Sequence, residues 1–226
     1  MSSYSYWIAT GDVADFKAKL GLAGFVEEDG KWYFDADPER KFYLKITVDA
    51  AIYGVGCVNS AGTPRNEILV NGNNSPCYFE FHELANGGVA IKMSKTSNVT
   101  SPINTISMIN FAVLPKKTGD GFVYLFKDGT SIFLDTNDGI CNAINTASLT
   151  QGVGQANATI VHITSAEDGR GGFIDADVYT ALNLTPAQLY TQSFLFDIGE
   201  DTYLAGMGAN GSGSGMGNRL VFKLAK

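Results

Sequence analysis

Short apolar runs alternate with turn residues along most of the chain, a pattern typical of antiparallel strands joined by tight connections. Asp-Gly pairs at 29–30 and 128–129 lie between apolar runs, and Asn-Gly-Gly at 86–88 joins two more. Because such pairs readily adopt the positive φ angles of tight turns, these three positions predict β-hairpins. Further strands are predicted within 106–114, 158–164, 192–206 and 217–226.

The segment 41–48 alternates with a period of two, which predicts a strand with one buried face and one wetted face. The predicted buried face carries Phe42, Leu44, Ile46 and Val48, and the predicted wetted face carries Lys41, Tyr43, Lys45 and Thr47.

A helix is predicted in 11–22, because Val13, Phe16 and Leu20 are spaced to share one helical face. Asp12 is its expected N-cap and Gly21 its expected stop.

A second helix is predicted in 175–184, with Val178, Ala181 and Leu182 on one face. A third short helical turn is predicted in 184–190, where Thr185 precedes a proline at the first helical position.

Composition supports a strand-rich fold, since 26 of the 226 residues are glycine, a poor helix former that serves turns. We therefore expect a mainly β (α+β) protein, an antiparallel, hairpin-rich sandwich or set of barrel-like sheets with two or three short helices. Residues 1–226 are expected to form a single β-rich domain, with a possible soft boundary within 142–157, which is polar and has no clear period.

The formal net charge of −7, with no basic run longer than 116–117, argues against a nucleic-acid partner. No apolar run approaches the roughly 20 residues of a membrane span, and the first residues lack the pattern of a signal peptide. We therefore expect that the chain is made in a reducing cytoplasm and that it does not insert into a membrane. Cys57, Cys77 and Cys141 are then expected as buried thiols, although a disulfide between two of them stays open.

Glycines 206, 208 and 211 match the spacing of a dinucleotide-binding fingerprint. Such a fingerprint needs a helix directly after it, because the helix N-terminus binds the pyrophosphate. The residues after Gly217 instead have strand character, so 206–218 is interpreted as a hairpin loop and no cofactor is expected.

No catalytic or metal-binding motif is evident, and the chain is not expected to be an enzyme. His82 and His162 lie in predicted strands away from cysteine pairs, which disfavours zinc. His82 and Glu83, as neighbours on a strand, point to opposite faces and form no dyad. Asp35, Asp37 and Glu39 alternate in one predicted loop, and a second loop carries Asp135, Asn137 and Asp138. Both patterns leave a weak structural calcium site as a minor alternative.

Aromatic residues concentrated near the start suggest a second function class, a carbohydrate-binding β-sandwich or receptor-binding module. Its sugar-contacting rings would be Trp7, Trp32 and Tyr43.

The segments FVYLFKDGTSIFLDT and FLFDIGEDTYLAGMGANGSGSGMGNRLVFKL resemble the hairpin-rich, Gly-, Asn- and Thr-rich sequences of virion structural proteins of tailed phages and prophages. This resemblance implies a non-enzymatic subunit, made in the host cytoplasm, that assembles into a virion with itself and neighbouring particle proteins. The expected partner contacts are loops that become ordered on assembly. They are represented by Asn59, Arg65, Gln151, Gly208, Asn210 and Gly213.

Overall fold

The computed structural model describes residues 6–9, 13–38, 40, 42–49, 52–59, 72–73, 78–94, 109–128, 131–136, 139–141, 159–163, 176–182, 195–208 and 219–226. Within these ranges the chain forms one helix and three antiparallel sheets. The expected mainly β, hairpin-rich class is confirmed.

The largest sheet, the central sheet, has seven strands. In spatial order they are β1 (Tyr6–Ala9), β7 (Tyr78–Glu83), β8 (Val89–Ser94), β9 (Ile109–Pro115), β10 (Phe122–Asp128), β11 (Ser131–Thr136) and β12 (Gly139–Cys141).

The N-terminal sheet is a five-stranded meander in which spatial order follows chain order. Its strands are β2 (Phe25–Glu28), β3 (Lys31–Phe34), β4 (Phe42–Asp49), β5 (Ile52–Asn59) and β6 (Gly72–Asn73).

The C-terminal sheet also has five strands, but the last strand in sequence lies in its middle. In spatial order the strands are β13 (Thr159–Ile163), β14 (Val178–Leu182), β17 (Arg219–Lys223), β16 (Asp201–Gly208) and β15 (Leu195–Ile198).

The turn at 29–30 shows how local sequence forms these hairpins. Asp29 and Gly30 have φ angles of 50° and 76°, and Glu28 pairs directly with Lys31. Two successive positive φ angles are the signature of the type I′ turn, whose twist matches that of the flanking strands. The hairpins predicted around 86–88 and 128–129 are likewise confirmed by the pairing of β7 with β8 and of β10 with β11.

The helix α1 (Val13–Leu22) packs through the predicted apolar stripe. Phe16 and Leu20 are fully buried, and the Phe16 ring lies 5.4 Å from that of Phe81 in β7. The predicted stop at Gly21 is wrong, since the helix continues to Leu22 and the chain reverses at Gly24, where φ is 89°. Glycine serves the left-handed conformation there, whereas Gly21 is an ordinary helical residue.

The helix predicted in 175–184 is wrong, because 178–182 form β14, which pairs with β13 on one side and β17 on the other. Valine, tyrosine and threonine at 178–180 fit a pleated sheet better than a helix. In so short a segment, the helical spacing of Val178, Ala181 and Leu182 can arise by coincidence. Pairing with β13 and β17 decides the structure instead. The third helix, predicted in 184–190, and the soft boundary in 142–157 lie outside the described residues.

The centre of the fold is buried on both faces of the central sheet. Four consecutive residues of β9, 111–114, are buried, as are 123–125 in β10. Successive side chains on a strand point to opposite faces, so both faces of the central sheet are covered here.

The N-terminal sheet covers one of these faces. The Phe25 ring lies 6.3 Å from Phe111, and the Phe34 ring packs edge-on against Phe122 at 5.0 Å. Edge-to-face pairs of this kind add to the apolar area that is removed from water.

The C-terminal sheet meets the central sheet at the turn between β7 and β8. Backbone bridges join Leu84 to Leu224 and Lys116 to Ala176. On either side of the first bridge, the Ala85 amide donates to the Lys223 carbonyl at 2.9 Å and the Ala225 amide donates to the Glu83 carbonyl at 3.0 Å. These bonds connect the two sheets directly.

Gly88, which immediately precedes β8, is required by close packing against β9. A Cβ atom added there would overlap the carbonyl oxygen of Val113. We predict that Gly88→Ala lowers the free energy of unfolding by about 1–3 kcal/mol, since the backbone of a buried strand has to shift.

The matched control is Gly21→Ala, where an added Cβ atom meets nothing within 4 Å on the helix. It should stabilise the protein by about 0.5–1 kcal/mol through helix propensity. Urea unfolding of both variants checks this, and equal transition midpoints would contradict the packing assignment.

Candidate functional site

The glycine-rich stretch lies where a hairpin, and not a nucleotide site, is expected. Gly206 and Gly208 belong to β16, and Gly208 pairs with Arg219 of the antiparallel strand β17. The first two glycines of the fingerprint therefore lie within a strand, and the next described residues, 219–223, form another strand. Asn210 and Gly213, the other proposed contact residues of this stretch, lie outside the described residues.

Of the remaining proposed contact residues, Asn59 is the last residue of β5, where it pairs with Phe42 of β4. Arg65 and Gln151 lie outside the described residues. Asn59 lies in the N-terminal sheet and Gly208 lies in the C-terminal sheet, so these two proposed contact residues do not share a sheet.

Two of the three aromatic rings expected to contact a sugar are buried. Trp32 is 7% exposed and Tyr43 is 3% exposed, so neither offers a ring face for a sugar to stack on. Trp7 lies in β1 opposite Phe81, and its side chain is outside the description. Burial of two of the three rings argues against this alternative.

Tyr43 was expected on a wetted face and is instead covered by one cation and a second ring. The Lys31 ammonium lies 4.8 Å from the centre of its ring, and Tyr33 lies 5.6 Å away. Long cationic side chains shield an aromatic ring while their charged ends stay in water, which period-two alternation cannot foresee.

Arg40, beside this cluster, has a positive φ angle of 44°. Its guanidinium pairs with Glu28 and Asp35 and lies 5.9 Å from the Tyr33 ring. The hydrogen bond to Glu28 raises the pKa of Arg40 above its ordinary value. All partners are substantially exposed, so these pairs fix a surface loop and contribute little stability.

The two described carboxylates of the acidic segment 35–39 are bound to different partners. Asp37 is buried and accepts a 2.5 Å hydrogen bond from the Tyr124 hydroxyl of β10, whereas Asp35 is exposed and pairs with Arg40. Glu39 lies outside the described residues, as do Asn137 and Asp138 of the second candidate calcium loop. Among the residues that are described, no three His, Cys, Asp or Glu side chains converge as metal ligands.

His82 is fully buried in the central sheet, and its Nε2 atom lies 3.1 Å from the Oε2 atom of Glu80. Residues two apart on a strand point to the same face, so Glu80 and His82 lie side by side. The prediction from sequence compared His82 only with the adjacent Glu83 and therefore missed this pair. His162 lies in β13 of the C-terminal sheet, so the two histidines belong to different sheets. The contact between the fully buried His82 and the partly buried Glu80 is a structural polar contact.

A small cavity lies where the central and C-terminal sheets meet. Its volume is about 20 Å³, room for little more than one water molecule. It is lined by Leu84, Ala85, Asn86, Leu114, Asp177, Tyr179, Phe222 and Lys223. Polar groups at its rim can bind a water, but this volume does not admit a metabolite.

A charged cluster joins β16 to β17 on one face of the C-terminal sheet. The Lys223 Nζ atom lies 2.7 Å from Asp201, which also pairs with Lys226 at 3.4 Å. The hydrogen bond from Lys223 lowers the pKa of Asp201, and the same bond raises the pKa of Lys223. Burial raises the pKa of Tyr203 beside them.

The terminal strands of the sheets are the remaining candidate for contacts. Among the described strands these are β1 and β12, β2 and β6, and β13 and β15. A terminal strand presents backbone N–H and C=O groups that another chain can pair with, and charged residues or proline usually protect it. The sequence of β13, TIVHI, contains none of these protective residues: it has no lysine, arginine, aspartate, glutamate or proline.

No protein-family model matches the chain, and no curated protein or solved structure was found to be similar to it. Within the described part of the chain, no helix has the length and apolarity that a membrane span requires.

Tyr124 and Asp37 connect the central sheet to the loop that follows β3. We predict that Tyr124→Phe lowers the free energy of unfolding by about 1–3 kcal/mol, because it removes the hydroxyl that donates to a buried carboxylate. The control is Tyr33→Phe, which also removes a tyrosine hydroxyl but from a partly exposed ring. It should change the free energy of unfolding by less than about 0.5 kcal/mol. Denaturant titration measures both, and equal losses would contradict a specific role for this bond.

The pair of Asp201 and Lys223 predicts how stability responds to acid. Because the folded-state pKa of Asp201 is lowered, its contribution is complete above the ordinary aspartate pKa of about 3.9 and is lost as pH falls through the lower folded value. Asp201→Asn should therefore have a lower Tm than the natural protein at neutral pH, and the two Tm values should converge in strong acid.

The control for this experiment is Glu200→Gln, the neighbouring carboxylate whose side chain is 96% exposed. Thermal unfolding at a series of pH values should show no such convergence for it. A pH-independent difference between Asp201→Asn and the natural protein would contradict the assignment.

Proposed function

We propose that this chain is a non-enzymatic structural subunit of a phage-type particle. It is made in the host cytoplasm and assembles into the virion with copies of itself and neighbouring particle proteins, through terminal strands and exposed loops. The resemblance of 122–136 and 194–224 to tailed-phage virion proteins motivates the class.

The observation that carries the proposal is β13, an uncharged strand at the end of the C-terminal sheet as far as this sheet is described. At 111–114 and 123–125 the central sheet is buried on both faces by the rest of the chain, so these parts of it offer no surface to a partner. Sheet edges and loops are then the natural places for contacts between subunits. Backbone pairing at an edge needs no conserved chemistry and suits repeated assembly.

Two of the described polar features, His82 and the small cavity, do not form a catalytic site. His82 is fully buried and held by Glu80, and the cavity beside Tyr179 has room for about a water molecule. Catalysis needs a base that reaches a substrate in a pocket, and neither group offers that arrangement.

The proposal predicts reversible self-association of the purified full chain. Light scattering coupled to size exclusion should show a mass above that of the monomer that grows with protein concentration. Each copy carries a net charge of −7, so copies repel one another at low ionic strength. Association should therefore strengthen when salt rises from about 0.01 M to about 0.15 M, as the screening distance falls from about 30 Å to about 8 Å.

Negative-stain electron microscopy of the same samples distinguishes discrete assemblies from amorphous aggregates. Discrete oligomers that dissociate on dilution would support a structural subunit. A monomer at every concentration and salt level would argue against it.

A further inference from the structure

The strand β13 differs from the other terminal strands in what its edge would meet in a second copy. The strand β2 carries Glu27 and Glu28, and β15 carries Asp197, and charged residues of this kind protect a sheet edge from pairing. The strands β6 and β12 have only two and three residues. The strand β1 is uncharged but has four residues, and α1 packs beside it.

The strand β13 is compatible with pairing to itself in an antiparallel manner. With Val161 on a two-fold axis, Val161 faces the copy's Val161, Ile160 faces the copy's His162, and Thr159 faces the copy's Ile163. At neutral pH none of these pairs opposes like charges, and β-branched residues are favourable in cross-strand pairs. A two-fold interface uses the same patch on both subunits, so self-complementarity is the property it requires.

From this pattern we infer that β13 is the self-association edge of the protein, at which two copies pair antiparallel and join their C-terminal sheets into one continuous sheet. The inference rests on the proposed structural role and specifies the partner, a second copy of this chain, and the element that binds it. Hydrogen bonds between backbones supply the contact, and the absence of charge on 159–163 permits it.

His162 provides the test, because it is already polar and is the register partner of Tyr179, a partly exposed residue of β14. In the proposed pairing, His162 of one copy and His162 of the other would be diagonal neighbours about 7–8 Å apart. His162→Lys and His162→Glu each place two like charges there. Each variant alone should self-associate about tenfold or more weakly than the natural protein. An equimolar mixture of the two should recover association, since opposite charges then meet.

The matched controls are Thr118→Lys and Thr118→Glu, which change the net charge by the same amount on the exposed turn between β9 and β10. They should associate like the natural protein. Sedimentation velocity over a concentration series measures all five proteins and the mixture, and circular dichroism shows whether each variant is folded.

A second measurement needs no variant. Hydrogen exchange of the natural protein, above and below its association midpoint, should show concentration-dependent protection of the amides in 159–163.

The outcomes separate this inference from the function on which it rests. If the natural protein associates but the His162 variants match the Thr118 controls, or 159–163 gain no protection, the β13 edge is wrong and the structural role stands. If the natural protein stays monomeric throughout, both are overturned. If the variants fail to fold, the exchange measurement on the natural protein decides alone.

Discussion

Burial of the central sheet on both faces is the constraint on which the rest of the fold depends. Four successive residues of β9 and three of β10 are removed from water, so a single covering layer cannot satisfy these strands. The aromatic contacts of Phe25 and Phe34 place the N-terminal sheet on one side. Apolar burial on two sides supplies the free energy that holds a protein with one described helix together.

The same constraint determines where polar groups can be tolerated. A carboxylate or imidazole inside such layers needs a specific partner, since desolvation without one costs several kcal/mol. Asp37 accepts from Tyr124, and His82 lies beside Glu80. These buried polar residues are therefore parts of the framework. The charged residues that remain at the surface, such as Arg40 and Lys223, pair with nearby carboxylates.

Local signals in the sequence specify much of the fold and little of the candidate interface. The turn at 29–30 and the stripe of Phe16 and Leu20 follow from short-range chemistry, and both were predictable. The strand β14 and the burial of Tyr43 depend on partners distant in sequence, so propensity and alternation failed there. The strand at 159–163 was predictable, but its terminal position was not, because strand order is decided by long-range pairing.

The position of β17 in the middle of its sheet has a kinetic consequence. The strands β14 and β16 both pair with β17, so the two flanking hairpins of the C-terminal sheet cannot join until this last strand is in place. Before that moment both inner edges are open, and a chain rich in such non-local pairings folds slowly. Premature contact between subunits during this interval would compete with correct closure. A second copy can therefore bind without disturbing folding only after β17 has paired with β14 and β16.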